Sequence, residues 1–190
     1  MSDTDVLIAG AGPTGLVLAF WLQRLGVRVR IVDKVAEPGT TSRALVLHAR
    51  TMELYRQIGI AEGVVGQGLR FAAVNLWVRG SKRARIALGD IGAGVSAYPY
   101  VLIFPQDQHE RFLIERLREN GVRIDRPTEV VSFEERGDRV AVKLKHSNGS
   151  DETCEAAFLA GCDGARSVVR ESLHAGSICS TSPTWKRPVR

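Results

Sequence analysis

The chain has 190 residues, of which 44% are hydrophobic and 25% are charged, a balance typical of a globular protein and not of a disordered one. Its 26 lysines and arginines exceed its 21 aspartates and glutamates, which gives a net charge of +5 spread along the chain. Because no basic tail or stripe is present, a nucleic-acid partner is not supported, and an anionic small molecule is the partner that the charge favours.

The cysteines and the N-terminal apolar run indicate the cellular setting. Cys154, Cys162 and Cys179 are too few for a disulfide scaffold and form no C-x-x-C pair for a metal site, so they favour a reducing cytoplasm. The apolar run at 6–22 follows acidic residues and is interrupted by glycines and a proline, which argues against a signal peptide or a membrane span. We expect no membrane association. The sequence leaves the oligomeric state open, a homo-oligomer included.

The N-terminal residues have the pattern of a βαβ unit. A short apolar run at 6–9 predicts a buried strand, and residues 16–25 predict a helix that ends at Gly26. Alternating apolar residues at 27–32 predict a second strand. Strand, glycine turn, helix and strand within about thirty residues form a βαβ unit, whose crossover is right-handed.

Further elements follow this unit in chain order. The pattern predicts helices at 48–58 and 108–119 and strands at 73–78, 83–88, 122–125, 128–134, 139–145 and 153–160. The strands at 73–78 and 83–88 are expected to add to the βαβ core, and the last three to form a β-meander. On the second helix, Phe112, Leu113, Arg116 and Leu117 are spaced for one buried stripe. The Ser/Thr/Pro-rich residues 174–190 predict an irregular or disordered tail.

Gly10, Gly12 and Gly15 match the pattern G-x-G-x-x-G, with Pro13 and Thr14 between the last two. The motif lies between a predicted strand and a predicted helix, which is the context of a dinucleotide-binding loop. There the first glycine allows the tight turn, the second lets a pyrophosphate approach, and the third lets helix and strand pack closely. The helix N-terminus then faces the phosphates. An accidental glycine turn is the alternative.

Asp33 lies at the end of the second predicted strand, where a dinucleotide site places an acidic residue. Its carboxylate can accept hydrogen bonds from both hydroxyls of an adenosine ribose and would repel a ribose phosphate. FAD or NAD is therefore favoured over NADP at this position. A solvated aspartate at a strand end is the alternative.

Five segments in the same order resemble the N-terminal half of a known enzyme family. They are DVLIAGAGPTG at 5–15, IVD at 31–33, SRA at 42–44, PQ at 105–106 and GCDGARS at 161–167. The chain from about 5 to 173 resembles FAD-dependent aromatic hydroxylases of the para-hydroxybenzoate hydroxylase type, which include phenol and polyketide hydroxylases. The resemblance implies an α/β, Rossmann-like FAD-binding fold in which a parallel sheet is combined with helices and a β-meander.

The resemblance also implies roles for individual residues in binding FAD. Asp33 matches the acid that binds the adenosine ribose, with Lys34 beside it, and Arg43 matches the arginine near the flavin and pyrophosphate. Gln106 matches a glutamine near the ribityl part, and Val130 a backbone contact to adenine. The Asp163-Gly164 pair matches a motif that serves the pyrophosphate and NAD(P)H, with Arg166 as support. The alternatives are a surface arginine at 43, a loop polar residue at 106 and a plain turn at 163–164.

The reaction that the resemblance implies is hydroxylation of a phenol-like aromatic substrate with FAD as cofactor, NAD(P)H as co-substrate and molecular oxygen. The flavin carries this chemistry, so we assign no catalytic side chain and no metal, and His48 and His109 receive no role. An FAD oxidoreductase that does not hydroxylate and a non-catalytic nucleotide-binding fragment remain alternatives. A plain NAD-dependent dehydrogenase is least favoured, because it leaves Arg43, Gln106 and Asp163-Gly164 unexplained.

The expected domain division is an FAD-binding domain at 1–173, which contains the first part of an inserted substrate-side sheet at about 63–105, and a tail at 174–190. Members of the resembled family are considerably longer than this chain. We therefore expect a truncated or frame-shifted product that is not competent alone, whose parallel sheet has an exposed edge and whose stability is low.

Overall fold

The computed structural model describes residues 4–39 and 46–175. Four short parallel strands form the central sheet: β1 (Val6–Ala9), β2 (Val29–Val32), β8 (Arg123–Asp125) and β12 (Phe158–Gly161). Their spatial order is β12–β1–β2–β8. β1 pairs in parallel with both β2 and β12, so it lies inside the sheet. The predicted α/β fold with a parallel sheet is confirmed.

Two helices cover one face of this sheet. α1 (Pro13–Arg24) connects β1 to β2, and α4 (Gln106–Glu119) packs beside it. The predicted stripe on α4 is confirmed for Phe112, Leu113 and Leu117, which are buried. It is wrong for Arg116, which is exposed and whose guanidinium lies 5.5 Å from the centre of the Phe112 ring. The long charged side chain covers the edge of the apolar stripe and does not join it.

The predicted β-meander covers the opposite face. It consists of β9 (Thr128–Arg136), β10 (Arg139–His146) and β11 (Asp151–Ala156), paired antiparallel in the order β11–β10–β9. Strand alternation divides the core: Ile8 and Ile31 pack with the helices, whereas Leu7 and Val32 pack with the meander. Because both faces are covered, the inner strand β1 is apolar and buried on both sides.

The single strand predicted at 153–160 is wrong, because these residues belong to two sheets. β11 ends at Ala156 in the meander, and β12 begins at Phe158 in the parallel sheet. Between them the N–H groups of Ala157 and Phe158 both donate to the carbonyl of Asp5, at 2.9 and 3.0 Å. The chain therefore leaves one sheet and enters the other within two residues, which a continuous apolar pattern cannot reveal.

Residues 46–105 form smaller elements beside the core. α2 (Ala49–Gln57) confirms the predicted helix at 48–58. A second helix, α3 (Ala61–Gln67), was not predicted, nor was the three-stranded sheet β3–β7–β4, formed by β3 (Val46–Leu47), β7 (Val101–Ile103) and β4 (Leu69–Phe71). Strands of two or three residues are too short to show a period of two.

The two strands predicted in the glycine-rich region form, but they do not extend the βαβ core as expected. β5 (Ala73–Val78) and β6 (Ser81–Ala87) pair only with each other in the described part of the chain. They form an exposed hairpin.

After β12, a 3₁₀ turn (Gly164–Arg166) leads into α5 (Val168–Ser172). Most of the tail predicted at 174–190 lies outside the described residues. No described helix is long and apolar enough to cross a membrane.

Candidate functional site

A cavity of about 300 Å³ lies at the carboxyl ends of β1, β2 and β12, where a parallel α/β sheet binds ligands. Eight of the twelve predicted site residues line it: Gly10, Gly12, Asp33, Lys34, Gln106, Val130, Asp163 and Gly164. A larger cavity of about 690 Å³ lies beside β4 but contains none of them. We regard the smaller cavity as the candidate site, because residues far apart in the sequence converge there.

The three glycines of the motif differ in whether the surrounding structure leaves room for a side chain. Gly10 has φ +104°, and a Cβ there would lie 2.3 Å from the carbonyl oxygen of Cys162. A Cβ on Gly15 would lie 2.0 Å from the carbonyl oxygen of Gly10. A Cβ on Gly12, in contrast, would meet nothing within 4 Å. The first and third glycines are therefore required by packing within the fold, whereas the second leaves open space in the cavity.

The N-terminus of α1 opens beside Gly12. No side chain within residues 4–39 and 46–175 caps this helix, and its first turn contains no acidic residue. Pro13, at the first helical position, has no N–H group, Thr14 is exposed, and Gly15 is buried. Without a capping side chain, the partial positive charge of the helix end is available to an anion.

Asp33 follows β2 and holds two neighbouring backbone segments. The Ala11 N–H donates to Asp33 Oδ2 at 2.7 Å, and the Val35 N–H donates to Oδ1 at 2.8 Å. A carboxylate offers about four lone-pair directions, so both oxygens retain acceptor capacity toward the cavity. The side chain of Lys34 is exposed at the rim. The predicted alternative of a simply solvated aspartate does not fit these two backbone bonds.

Arg126 contacts Asp33 from behind the cavity and was not predicted from the sequence. Its Nη2 donates to the Ala11 carbonyl at 2.8 Å and lies 3.6 Å from Asp33 Oδ2. Only 8% of its side chain is exposed. Arg126 follows β8 and is 93 positions from Asp33, so no local pattern could have indicated the pair.

Asp163 follows β12 and has one carboxylate oxygen in use and one free. The Val168 N–H donates to its Oδ2 at 2.7 Å, whereas Oδ1 is buried and has no partner among the described residues. Burial and the neighbouring Asp163 charge raise the pKa of the Cys162 thiol, which also lines the cavity. Gly164 has φ +79°, which lets the chain turn into the 3₁₀ segment. A buried acceptor without a donor is a position that a ligand hydroxyl can satisfy.

The remaining predicted residues fall into three groups. Gln106 begins α4 and lines the cavity, with its Nε2 donating to Glu110 Oε1 at 2.7 Å. Val130, on β9, also lines the cavity and is only 6% exposed. Arg43 lies outside the described residues. Arg166 is exposed in the 3₁₀ turn and does not line the cavity.

His109, which the sequence left without a role, is buried in the core beside Tyr55. The Tyr55 hydroxyl lies 3.0 Å from His109 Nε2, and the rings of Phe104 and His109 are 5.5 Å apart. Burial lowers the pKa of His109 to about 4 and raises the pKa of Tyr55. His109 is therefore neutral at pH 7, and its contacts are those of a core residue.

The groups that face the cavity fit a dinucleotide such as FAD. The uncapped end of α1 and the open space at Gly12 suit a pyrophosphate. The remaining acceptor directions of Asp33 and the unpartnered Asp163 Oδ1 suit hydroxyl donors. In the described part of the chain, no group of three or more His, Cys, Asp or Glu side chains could hold a metal ion.

Comparisons with known proteins agree with this geometry. Residues 3–186 match the model of the family described as "FAD binding domain". The chain is 40% identical over 95% of its length to 6-methylpretetramide 4-monooxygenase of Streptomyces rimosus, of which it covers 32%. It is 38% identical over 90% of its length to dialkyldecalin synthase of Streptomyces rugosporus, of which it covers 34%.

A solved structure shows the same fold. The crystal structure of aklavinone-11 hydroxylase with FAD and aklavinone superposes with a TM-score of 0.81 and 32% identity. The match covers 92% of this chain and 35% of that one. The chain thus spans about a third of the length of the relatives that it matches. On the match of residues 3–186, the chain belongs to the family described as FAD binding domain.

Proposed function

We propose that this chain is the FAD-binding part of an NAD(P)H-dependent flavoprotein monooxygenase that hydroxylates phenol-like aromatic substrates. The observation that carries the proposal is the cavity at the ends of β1, β2 and β12, where eight of the residues matched to the family converge. Because the chain spans about a third of its relatives, the complete reaction is proposed for the chain together with the substrate-binding parts that those relatives contain.

Each part of the cavity has a chemical task in binding FAD. The pyrophosphate would lie against Gly12 and the end of α1, because the backbone is open there and the helix end carries partial positive charge. The adenosine ribose would donate to the remaining lone pairs of Asp33. Asp163 Oδ1 cannot accept from a phosphate oxygen, so we assign it a hydroxyl of the cofactor. Lys34 would add a positive charge at the rim.

The chemistry that FAD would supply when bound is to accept hydride from NAD(P)H and to activate molecular oxygen for the hydroxylation of an aromatic ring. The side chains described here bind and orient, and none is placed to act as nucleophile. Residues 63–105, with the exposed hairpin β5–β6, would lie on the substrate side. The proposed cytoplasmic location rests on the sequence, in which three cysteines are too few for a disulfide scaffold.

The first test is titration of the purified chain with FAD, followed by its visible spectrum and by quenching of flavin fluorescence. We expect a saturable yellow complex that releases FAD upon denaturation. The variant Gly12→Ala is the matched test of the site, because its methyl group enters the cavity without touching the fold. Folded wild-type chain that does not take up FAD contradicts the proposal.

The second test concerns the reaction. A relative named for decalin synthesis shares this domain at 38% identity, which makes an FAD protein that does not hydroxylate the second candidate. Oxygen uptake with NAD(P)H and a phenol distinguishes the two when the chain is assayed with the substrate-binding part of a relative. Consumption of NAD(P)H and oxygen with formation of hydroxylated product supports the monooxygenase. A flavin complex without phenol-dependent oxygen uptake supports the second candidate.

A further inference from the structure

We infer that Arg126 is a positioning residue of the nucleotide site, which orients the Asp33 carboxylate toward the adenosine ribose without touching the ligand. The inference rests on the proposed function, since it concerns how strongly the ribose hydroxyls are recognised. It starts from an observation that FAD binding does not explain. A buried arginine beside the cavity donates to a backbone carbonyl of the glycine loop and forms an ion pair with Asp33, yet it does not line the cavity.

Arg126 donates to the same two peptide segments that donate to the Asp33 carboxylate. Nη2 donates to the Ala11 carbonyl at 2.8 Å, and Nη1 donates to the Val35 carbonyl at 3.4 Å. The N–H groups of the same two residues donate to the two oxygens of Asp33. The guanidinium and the carboxylate therefore hold the same two peptide segments, one through carbonyls and the other through amides. Rotation of the carboxylate would break bonds on both segments.

Burial shows that Arg126 acts through Asp33 and not on the nucleotide. Its Nε is fully buried and has no partner among the described residues, and the residue does not line the candidate cavity. Asp33 does line it. An arginine remains charged in a protein, and its Nη2 lies 3.6 Å from Asp33 Oδ2. The guanidinium therefore lies beside the carboxylate without lining the cavity, from where it can fix the orientation in which Asp33 faces two ribose hydroxyls.

The experiment compares ADP with 2′,3′-dideoxy-ADP, which lacks the ribose hydroxyls but keeps the adenine and both phosphates. Affinities are measured by calorimetry for wild type, Arg126→Met and Arg126→Lys. In the wild type we expect ADP to bind at least tenfold more tightly, since hydroxyls donating to a carboxylate form charge-assisted bonds. In Arg126→Met this ratio should fall to about two or less, because the guanidinium no longer holds the two peptide segments whose N–H groups orient the carboxylate. Arg126→Lys restores one donor and should give an intermediate ratio.

Arg139→Met is the matched control. Arg139 also has a buried Nε without a partner among the described residues and a bond to a backbone carbonyl, that of Glu155. It lies in the meander and does not line the cavity. If the substitutions only lowered stability, Arg126→Met and Arg139→Met would behave alike, and neither would change the ratio of the affinities for ADP and 2′,3′-dideoxy-ADP. We expect the Arg139→Met ratio to equal that of the wild type.

The outcomes separate the inference from the proposed function. The inference is overturned if the wild-type affinity ratio is at least ten and the same ratio is measured for Arg126→Met. If the methionine variant does not fold, Arg126→Lys takes its place in this comparison. Either result leaves the proposed FAD binding intact. A wild type that binds both nucleotides equally, or neither, overturns the assignment of Asp33 and the inference with it. Collapse of the ratio in Arg126→Met alone supports the positioning role.

Discussion

Replacement of Glu152 by glutamine should weaken the fold at neutral pH and have a smaller effect in acid. Glu152, on β11, joins the meander to the parallel sheet through Arg30 on β2: Arg30 Nη2 donates to Glu152 Oε2 at 2.8 Å. Arg30 also contacts Asp125 on β8, with Nε donating at 2.8 Å, and only 5% of its side chain is exposed. His146 Nε2 lies 2.9 Å from the same Glu152 oxygen.

The magnitude follows from the pKa of Glu152, which the hydrogen bond from Arg30 lowers from its ordinary value of 4.5 to about 2. One pKa unit corresponds to about 1.4 kcal/mol, so the carboxylate contributes at most about 3 kcal/mol. Because 33% of its side chain is exposed, solvent screening reduces this contribution to about 2 kcal/mol.

The sign of the pH dependence is fixed by the same pKa. The folded carboxyl binds a proton less readily than the unfolded one, so its contribution is complete above about pH 4.5 and is lost as the pH falls toward 2. We expect the free energy of unfolding of Glu152→Gln, measured with urea, to lie about 2 kcal/mol below that of the wild type at pH 7. The difference should fall to less than half of this value at about pH 3.

A matched control for this experiment is Glu155→Gln, which changes an exposed carboxylate on the same strand. Its free energy of unfolding should stay within about 0.5 kcal/mol of the wild-type value. A difference between wild type and Glu152→Gln that is constant from pH 7 to pH 3 would refute the assigned ion pair, since it would show that the carboxylate charge does not stabilise the fold.

Two further predictions concern the glycine loop and the core. Gly15→Ala should destabilise the chain by about 3 kcal/mol in urea unfolding, because its Cβ would lie 2.0 Å from the Gly10 carbonyl oxygen. In Gly12→Ala the added Cβ meets nothing within 4 Å, so the free energy of unfolding should stay within about 0.5 kcal/mol of the wild-type value, while the affinity for FAD should fall at least tenfold. Equal losses of stability in the two variants would contradict the positions assigned to these glycines. Tyr55→Phe should cost about 1–2 kcal/mol, because it leaves buried His109 Nε2 without its 3.0 Å partner. An unchanged thermal midpoint would show that this hydrogen bond does not contribute.

The features that the sequence predicted well are encoded locally. Gly15 is required by close packing against the Gly10 carbonyl of the same loop, and the period of α4 identifies its buried face from the sequence alone. The same holds for the meander, whose turns at Gly137 and Gly149 have positive φ. Such features need no information about distant partners, which is why a motif and a period suffice to predict them.

The features that the sequence did not predict depend on which distant residues meet. The alternation of side chains along β2 places Arg30 and Ile31 on opposite faces of the sheet. From the sequence alone, this does not indicate what covers either face. The meander covers the layer that contains Arg30, so this arginine is buried and paired with Glu152, 122 positions away. Likewise, the passage from β11 to β12 depends on the carbonyl of Asp5. Neither partner could be identified from one sequence without the tertiary arrangement.

The candidate site combines both kinds of feature, so the glycine motif alone does not form it. The backbone N–H of Asp33 donates to the Asp125 carbonyl at 3.1 Å, and the Thr128 N–H donates to the Asp33 carbonyl at 2.8 Å. Together with Arg126, the segment between β8 and β9 therefore holds the backbone and the carboxylate of the acid that would bind the ribose. A βαβ peptide ending after β2 would keep all three glycines but lack every one of these contacts. The proposed recognition of the ribose by Asp33 accordingly depends on residues 125–128 as well as on the motif.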